Sequence, residues 1–554
     1  MQVQNGFDTS ELGASAAEAF PSLSDEMTAR VGAYGVRGHV LQGTQLIARD
    51  DRHADAFFVI SGCIEISATD SEGNVETIAR HCRNQFTGEL DVLSGHKILV
   101  DAFASEDTEV IRVKRADLQR LLSSEPDIGE ILMRAYMVRR LQLIQHGVGG
   151  VLVIGSSQCA DTLRIRRFLL RNGYPHRVLE MEHDAETIPM LSMLGLSRKE
   201  FPVVVNSRNE VIMNPATAAL ADQIGLNVQV DPERIYDVVV VGAGPTGLAS
   251  AVYAASEGLD TIVIEEFAAG GQAGTSSKIE NYLGFPMGIS GANLAAKAQV
   301  QAQKFGVRLV ISRSASSIDC SSLPYKLSME DGQMLHARSI VIATGARYKK
   351  LDVPNYDRFE GQGIHYAATA MEANLCAGEE VIVVGGGNSA GQAAVYLSQW
   401  VKHVHILVRA NGLAATMSDY LIQRINQSPK ISLHARSFIT RMDGDYLLRQ
   451  VTWMDGATGT ERQQDMKNVF VMIGAEPNTQ WLNGCVKLDE KGFVRTGGKV
   501  CPLLIDSNFA TSKPGIFAVG DVRSGSVKRV ASGVGEGSVV VQAIHQYLAG
   551  EVTA

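Results

Sequence analysis

No two cysteines in this chain stand at C-x-x-C spacing. The seven present, Cys63, Cys82, Cys159, Cys320, Cys376, Cys485 and Cys501, are scattered through 554 residues. Such scatter argues against a zinc site and a disulfide framework, and predicts reduced, mostly buried thiols with no metal bound. No apolar run is long enough to cross a bilayer, so no membrane partner is expected. The first residues, Met1 to Ala14, carry acid and no basic segment, so a signal peptide is not expected and a cytoplasmic location is. Excess basic charge is missing too. A net charge of −9 disfavours nonspecific nucleic-acid binding. What is there, 45% hydrophobic and 20% charged residues, reads as an ordinary globular protein. The length predicts roughly three to four domains of about 150 residues.

The strongest positive signal is a pair of glycine fingerprints. Tyr236-Asp237-Val238-Val239-Val240-Val241 reads as a buried parallel strand running into Gly242-Ala243-Gly244-Pro245-Thr246-Gly247. Gly242 permits a tight turn, Gly244 lets the backbone approach a pyrophosphate, and Gly247 lets helix pack on strand. The next strand, Thr261 to Ile264, ends in Glu265-Glu266, where an acid suits a ribose 2′-hydroxyl. The strands Ile340 to Gly345 and Gly515 to Asp521 end in further turns, and the Asp521 carboxylate suits ribityl hydroxyls. Gly270-Gly271-Gln272 and Glu280-Asn281 offer close backbone approach and amide donors. In this order they predict an FAD site. The second fingerprint, Gly385-Gly386-Gly387-Asn388-Ser389-Ala390, follows the strand Glu380 to Val384. Its following strand, His403 to Val408, ends in Arg409 rather than an acid, which favours NADPH over NADH, with a solvated surface charge as the alternative reading of Arg409.

Residues from about 18 to 125 read as short strands, followed by a helical stretch from about Arg115 to Gln145. The run Phe57 to Gly62 and Gly88-Glu89-Leu90 resemble a cyclic nucleotide-binding domain of the bacterial regulator type, a β-barrel closed by helices. The resemblance implies that Glu89 meets a ribose hydroxyl. The stretch Ser94 to Ala102 contains no arginine for a cyclic phosphate. Lys97 is the cation present there, and a point ammonium cannot reproduce a bidentate guanidinium pair. Both a degenerate protein-contacting domain and a working nucleotide sensor stay open.

The middle segment starts with a strand, Val151 to Ile154, then a helix from Asp161 to Asn172 ended by Gly173. Two more strands follow at His176 to Glu180 and Phe201 to Val205. This pattern resembles the thioredoxin/glutaredoxin fold, whose C-x-x-C at the first helix start aligns here with Cys159-Ala160-Asp161-Thr162. The family's cis-proline falls on Pro202. Cys159 is either a monothiol site able to form mixed disulfides or an incidental cysteine in a docking domain.

From about Tyr236 to Leu548 the chain resembles the low-molecular-weight thioredoxin reductases. The motifs are Gly270-Gly271-Gln272, Glu280-Asn281-Tyr282, Ala343-Thr344-Gly345-Ala346, the second glycine fingerprint, Ile473-Gly474-Ala475-Glu476-Pro477-Asn478-Thr479 and Gly520-Asp521. The resemblance implies flavin contacts from Gly242, Gly244, Pro245, Gly247, Glu265, Glu266, Gly271, Gln272, Asn281, Gly345, Ala346, Gly520, Asp521, Lys528, Arg529 and Val530. It implies NAD(P)H contacts from Gly385, Gly387, Asn388, Ser389, Ala390, Arg409 and Gly474, and a homodimer. The chain departs from that family where the redox pair should lie. Ala367-Ala368-Thr369-Ala370-Met371 replaces C-A-T-C-D, so both sulfurs and the proton-donating acid are gone.

The fold expected is therefore multidomain. A cyclic nucleotide-binding-like barrel with a helical tail spans 1–148, and a thioredoxin-like α/β unit spans 149–230. An FAD domain in two parts (235–352 and 469–554) is interrupted by an NAD(P)H domain (353–468), both Rossmann-like. Alanine cannot attack a flavin or a disulfide. Hydride transfer between two bound nucleotides needs neither missing cysteine. The first expectation is an NAD(P)H-dependent FAD oxidoreductase whose acceptor is a ferredoxin-like protein, a quinone or another small molecule. The alternatives are a disulfide reductase working through Cys159 or a partner's thiols, and a non-enzymatic redox or cyclic-nucleotide sensor.

Overall fold

Runs of valine and isoleucine set the strand cores of successive units, because β-branched side chains pack well on a pleated, buried surface. The computed structural model describes residues 16–551 except 70–74, 147–148, 158, 182–183, 185–186, 188–201, 207, 277, 361, 415–416, 446 and 498–506. Two antiparallel sheets form the N-terminal unit. One orders Val36–Val40, Thr108–Val113 and Ala56–Ser61; the other orders Gln45–Ile47, Asp101–Ala104, Ile64–Thr69 and Val75–His81. The expected helical stretch after them is two helices, Arg115–Ser124 and Pro126–His146. Pro126 has no N–H to donate, so it is tolerated only in a first turn, and the break falls there.

The middle unit is a four-stranded sheet ordered Val211–Met213, Val203–Val205, Val151–Gly155 and His176–Glu180. Val151–Gly155 runs parallel to His176–Glu180 and antiparallel to Val203–Val205. Its first helix is Ala160–Arg171, with Ile165, Phe168 and Leu169 buried. Phe201 lies outside the described residues, and with it the peptide bond before Pro202.

Two sheets with parallel centres follow; in the first, Tyr325–Met329 runs antiparallel to both of its neighbours. The first orders Arg308–Ile311, Thr261–Glu265, Ile235–Val241, Met334–Ile342, Tyr325–Met329 and Ala315–Asp319, with Ile516–Ala518 pairing on Met334–Ile342. Val239 sits opposite Ile262 on one side and Ile340 on the other, and all three are fully buried. The second orders Ile364–His365, Val469–Val471, Glu380–Val384, His403–Val408 and Ile431–Ala435. The chain thus leaves the first sheet, builds the second and returns. Val469–Val471 belongs to the second sheet, so that sheet runs a few residues past the expected edge at 468.

The cysteine reading is corrected by two bridges, Cys63–Cys82 and Cys320–Cys485. Cys63 and Cys82, 19 residues apart, are brought together where Ile64 pairs with His81, and Cys320 and Cys485, 165 apart, only by tertiary packing, so C-x-x-C spacing carried no sign of either. Cys159 and Cys376 are free, and Cys501 lies outside the described residues. Among the described residues no helix is long and apolar enough to cross a membrane, and no cluster could hold a metal ion.

The middle unit packs on the first parallel sheet through Phe168, fully buried, whose ring meets Phe267 edge-on at 5.7 Å. Phe168→Ala removes both the core contact and that seam. Urea unfolding of the variant is expected to show about 3–5 kcal/mol lost; a loss under about 1 kcal/mol would mean the seam carries no stability.

Candidate functional site

The expected FAD residues gather at the C-terminal ends of the first parallel sheet, the edge where such sheets bind ligands. Ile235–Val241 ends at Gly242, with φ of +103° and its missing Cβ aimed 2.4 Å from the Ala343 carbonyl. Gly244 caps the helix Pro245–Ser256, and a Cβ there would meet nothing within 4 Å. That open face at a helix N-terminus, with Pro245 as first helical residue, is a cradle for a pyrophosphate. A Cβ at Gly247 would lie 1.9 Å from the Gly242 carbonyl. Gly271 approaches Gly244 from the next loop, and Gln272 donates to the Ala346 carbonyl. Thr344 and Asn478 exchange hydrogen bonds of 2.8 and 3.0 Å, which ties the turn at Gly345 to the returning chain.

Glu265 is placed where a ribose acid belongs, but its oxygens accept from the Ala243 amide at 2.7 Å and the Phe267 amide at 3.0 Å. It braces the glycine loop, and burial pushes its pKa up. Gly520 donates its N–H to Glu536 at 2.6 Å, and burial raises the pKa of the neighbouring Asp521. Glu266, Asn281, Lys528 and Arg529 are exposed on this rim. Lys528 lies over the Phe493 ring at 4.9 Å, and Val530 opens the last helix, Val530–Glu551.

The second fingerprint repeats the geometry. Gly385 has φ of +139° and its missing Cβ faces the Met472 carbonyl. Gly387 caps the helix Asn388–Leu397 with open space beside it, and the Asn388 side chain accepts from the Ser418 amide at 2.7 Å. Ala390 is fully buried, while Ser389, Arg409 and Gly474 are exposed. An exposed Arg409 just past His403–Val408 is free to meet a phosphate. Two open helix N-termini with glycine approaches fit two dinucleotides.

The stretch Ala367 to Ala370 is a structural tie. Ala370 opens the helix Ala370–Leu375, and ahead of it Thr369 donates backbone N–H and hydroxyl to Glu372. Glu372 is buried and pairs at 3.0 Å with Arg167 of the middle unit's helix. Four residues on, Arg171 donates to the Gly271 carbonyl at 3.0 Å, and Asn172 to that of Phe267 at 3.2 Å. The helix Ala160–Arg171 therefore docks by its C-terminal end on the FAD loops. Cys159 caps its other end, about 18 Å of helix away. Cys376 is buried, and burial pushes its thiol pKa well up, which makes it a poor nucleophile. Neither Arg167, Arg171 nor Glu372 carries a motif; only the i, i+4 spacing of Arg167 and Arg171 on one helix face could have hinted at a shared surface.

In the N-terminal unit Glu89 caps the helix Leu90–Ser94 by accepting from the Asp91 amide, and Arg140 lies 3.2 Å from its other oxygen. Arg140 also pairs with Asp91. Lys97 points away to the middle unit, donating to the Gln223 carbonyl at 2.9 Å. The two residues expected at a cyclic nucleotide are thus engaged elsewhere.

Residues 236–537 match the family model described as pyridine nucleotide-disulphide oxidoreductase, and residues 37–125 match that of the cyclic nucleotide-binding domain. A protein named NADH dehydrogenase from Bacillus subtilis is 31% identical over 314 residues, 56% of this chain and 58% of its own length. The chain thus spans little more than half of that relative. A Bacillus subtilis thioredoxin reductase is 32% identical over 317 residues, 57% of this chain and 96% of its own. The crystal structure of Lactococcus lactis thioredoxin reductase, in a form titled FR conformation, aligns with a TM-score of 0.53 and 29% identity, covering 57% of this chain and 99% of that one. The matched family uses FAD and NAD(P)H.

Gly247→Ala forces a methyl onto the Gly242 carbonyl and is expected to lose most of its flavin, read as FAD per chain after gel filtration. Gly535→Ala, on an open stretch of the last helix, is the control and keeps its flavin. A fully flavinated Gly247→Ala would refute the close-packing argument.

Proposed function

The chain belongs to the pyridine nucleotide-disulphide oxidoreductase family, and from that premise we propose that it is an NAD(P)H-dependent FAD oxidoreductase lacking an internal dithiol relay. Bound flavin supplies a hydride acceptor that can release electrons singly or in pairs. The chain's own residues hold the two nucleotides. Gly242, Gly244, Gly247 and Gly271 form one cradle and Gly385 and Gly387 the other, while Asp521 and Gln272 offer polar contacts near the first. Arg409 is read as the 2′-phosphate partner, which makes NADPH the preferred donor. The middle unit is read as thioredoxin-like. Its support is that Thr162 and Pro202 both crowd the missing Cβ of Gly155, so the helix start and the proline lie side by side.

The observation that carries this reading is the pair Ala367 and Ala370, with Ala370 opening a helix that Thr369, Glu372 and Arg167 tie down. No sulfur stands there to take electrons, Cys376 is buried, and Cys159 is at the far end of its helix. The acceptor is therefore external, a quinone, another small molecule or a ferredoxin-like protein.

Anaerobic NADPH is expected to bleach the visible flavin absorbance, and acceptor reduction is expected to persist in Cys159→Ser. Absence of bleaching with both NADPH and NADH would sink the oxidoreductase reading. Loss of a disulfide-reducing activity in Cys159→Ser would move the electron exit to the middle unit. Arg409→Ala is expected to raise KM for NADPH about tenfold, a loss of about 1.4 kcal/mol, with KM for NADH unchanged. Equal effects on both donors would remove Arg409 from the phosphate site.

A further inference from the structure

Arg171 is the last residue of the helix Ala160–Arg171, and its guanidinium reaches from the middle unit into the loop that follows the strand Thr261–Glu265. There its Nη2 donates to the Gly271 carbonyl at 3.0 Å. The loop is shaped to receive it. A Cβ at the buried Gly274 would fall 2.9 Å from the same Nη2, so glycine there leaves the space that the guanidinium fills. The loop also meets the pyrophosphate cradle. The missing Cβ of Gly271 lies 3.1 Å from the Cα of Gly244, the residue that caps the helix Pro245–Ser256.

Arg171 is half-buried, and no carboxylate among the described residues lies within ion-pair distance of it. The acids around it are committed elsewhere. Glu265 holds the amides of Ala243 and Phe267, and Glu372 pairs with Arg167. A cation without a local partner thus stands behind a loop that touches an anion-binding helix N-terminus. Its place on the helix matters too. Docked by its C-terminal end, the helix turns its partial negative pole toward the flavin loops, and a cation at its last residue offsets that pole. The peptide that Arg171 holds adds a second effect. The Gly271 carbonyl and the Gln272 N–H lie on opposite sides of one trans peptide plane. Arg171 polarises the carbonyl, which makes the N–H a stronger donor, and no acceptor among the described residues takes that N–H.

We propose that Arg171 is a positioning residue of the flavin site, which the middle unit thereby completes, so that FAD binding and docking of that unit strengthen each other. The proposal rests on FAD occupying the first cradle. Coupling between two binding equilibria is reciprocal. If docked Arg171 tightens FAD about tenfold, bound FAD favours the docked helix by the same factor. Asn172 supplies the contrast. It donates to the Phe267 carbonyl of the same loop at 3.2 Å but carries no charge, so it docks the helix without acting on an anion.

FAD binding to the flavin-free full chain, measured by ultrafiltration, tests this together with hydrogen exchange of the helix Ala160–Arg171 with and without FAD. Arg171→Gln is expected to weaken FAD about tenfold, Arg171→Lys to recover part of that loss, and Asn172→Ala to change it less than about twofold. FAD is expected to slow exchange of the helix amides in the unsubstituted chain and in Asn172→Ala, and to leave it unchanged in Arg171→Gln. Should Arg171→Gln fail to fold, exchange in the unsubstituted chain still decides. An unsubstituted chain that takes up no FAD would sink the flavin reading itself. FAD bound as tightly by Arg171→Gln, an equal loss in Asn172→Ala, or helix exchange that FAD does not slow would overturn this proposal alone.

Discussion

The molecule is organised by the need to bring two helix N-termini against two anionic dinucleotides, an approach that leaves no room for a Cβ at the turn. A Cβ at Gly247 would fall 1.9 Å from the Gly242 carbonyl, and at Gly385 the Met472 carbonyl closes the same space. Only parallel strands present their C-terminal ends on one edge, so both sheets must be parallel at their centres, and their buried valines and isoleucines follow. The outlying loops then obey the same constraint. Gly271 reaches Gly244, the Thr344–Asn478 pair fixes the turn beside it, and Glu536 holds the Gly520 amide. Glu265 belongs to this bracing as much as to any ligand, since both oxygens already hold amides of its own loop.

A second set of interactions makes the middle unit a bridge. On one side Lys97 and Arg52 of the barrel donate to carbonyls of Gln223 and Asn227. On the other, Arg313 pairs with Asp222, Arg171 with the Gly271 carbonyl, and Arg167 with Glu372. These contacts are not equal. Arg30, Arg83 and similar surface pairs contribute little, because water and salt screen them. Glu372 is 3% exposed but Arg167 is 41% exposed, so solvent screens part of their attraction, and Thr369 also donates to Glu372.

Much of this was legible in the sequence, and the limits have a physical pattern. Glycine fingerprints announce themselves because a positive φ and a close approach admit almost no other residue, so both nucleotide cradles could be read with their flanking strands. Strand and helix centres were readable for the same reason that apolar periodicity reports burial. The break at Pro126 had its signal in plain view. The bridges Cys63–Cys82 and Cys320–Cys485 did not, because pairing depends on which loops the sheets bring together. Lys97 illustrates the same limit: a cation near the expected phosphate position turned to a neighbouring unit whose carbonyl lay closer. Arg139, Arg140, Arg167 and Arg171 were just as hidden, since an arginine on a helix looks like a solvated face until the helix is packed.

On the proposed reading, alanines at 367 and 370 stand where a redox pair would lie, and the structure has a counterpart to that. A dithiol that serves flavin and partner in turn must lie on a segment able to change its surroundings. Here that segment begins at Ala370, directly after Thr369, which holds to Glu372, itself paired with a helix seated on the flavin loops. Freeing the segment would break the Arg167–Glu372 pair and loosen the docking beside it. On the proposed reading the two features support each other. Once no sulfur has to travel, the ground between the two nucleotide cradles can be spent on an anchor, and the anchor keeps the middle unit's Arg171 beside Gly271. Electrons then leave toward whatever approaches the FAD loops from outside, and the side left for that approach is the exposed rim carrying Asn281, Lys528 and Arg529.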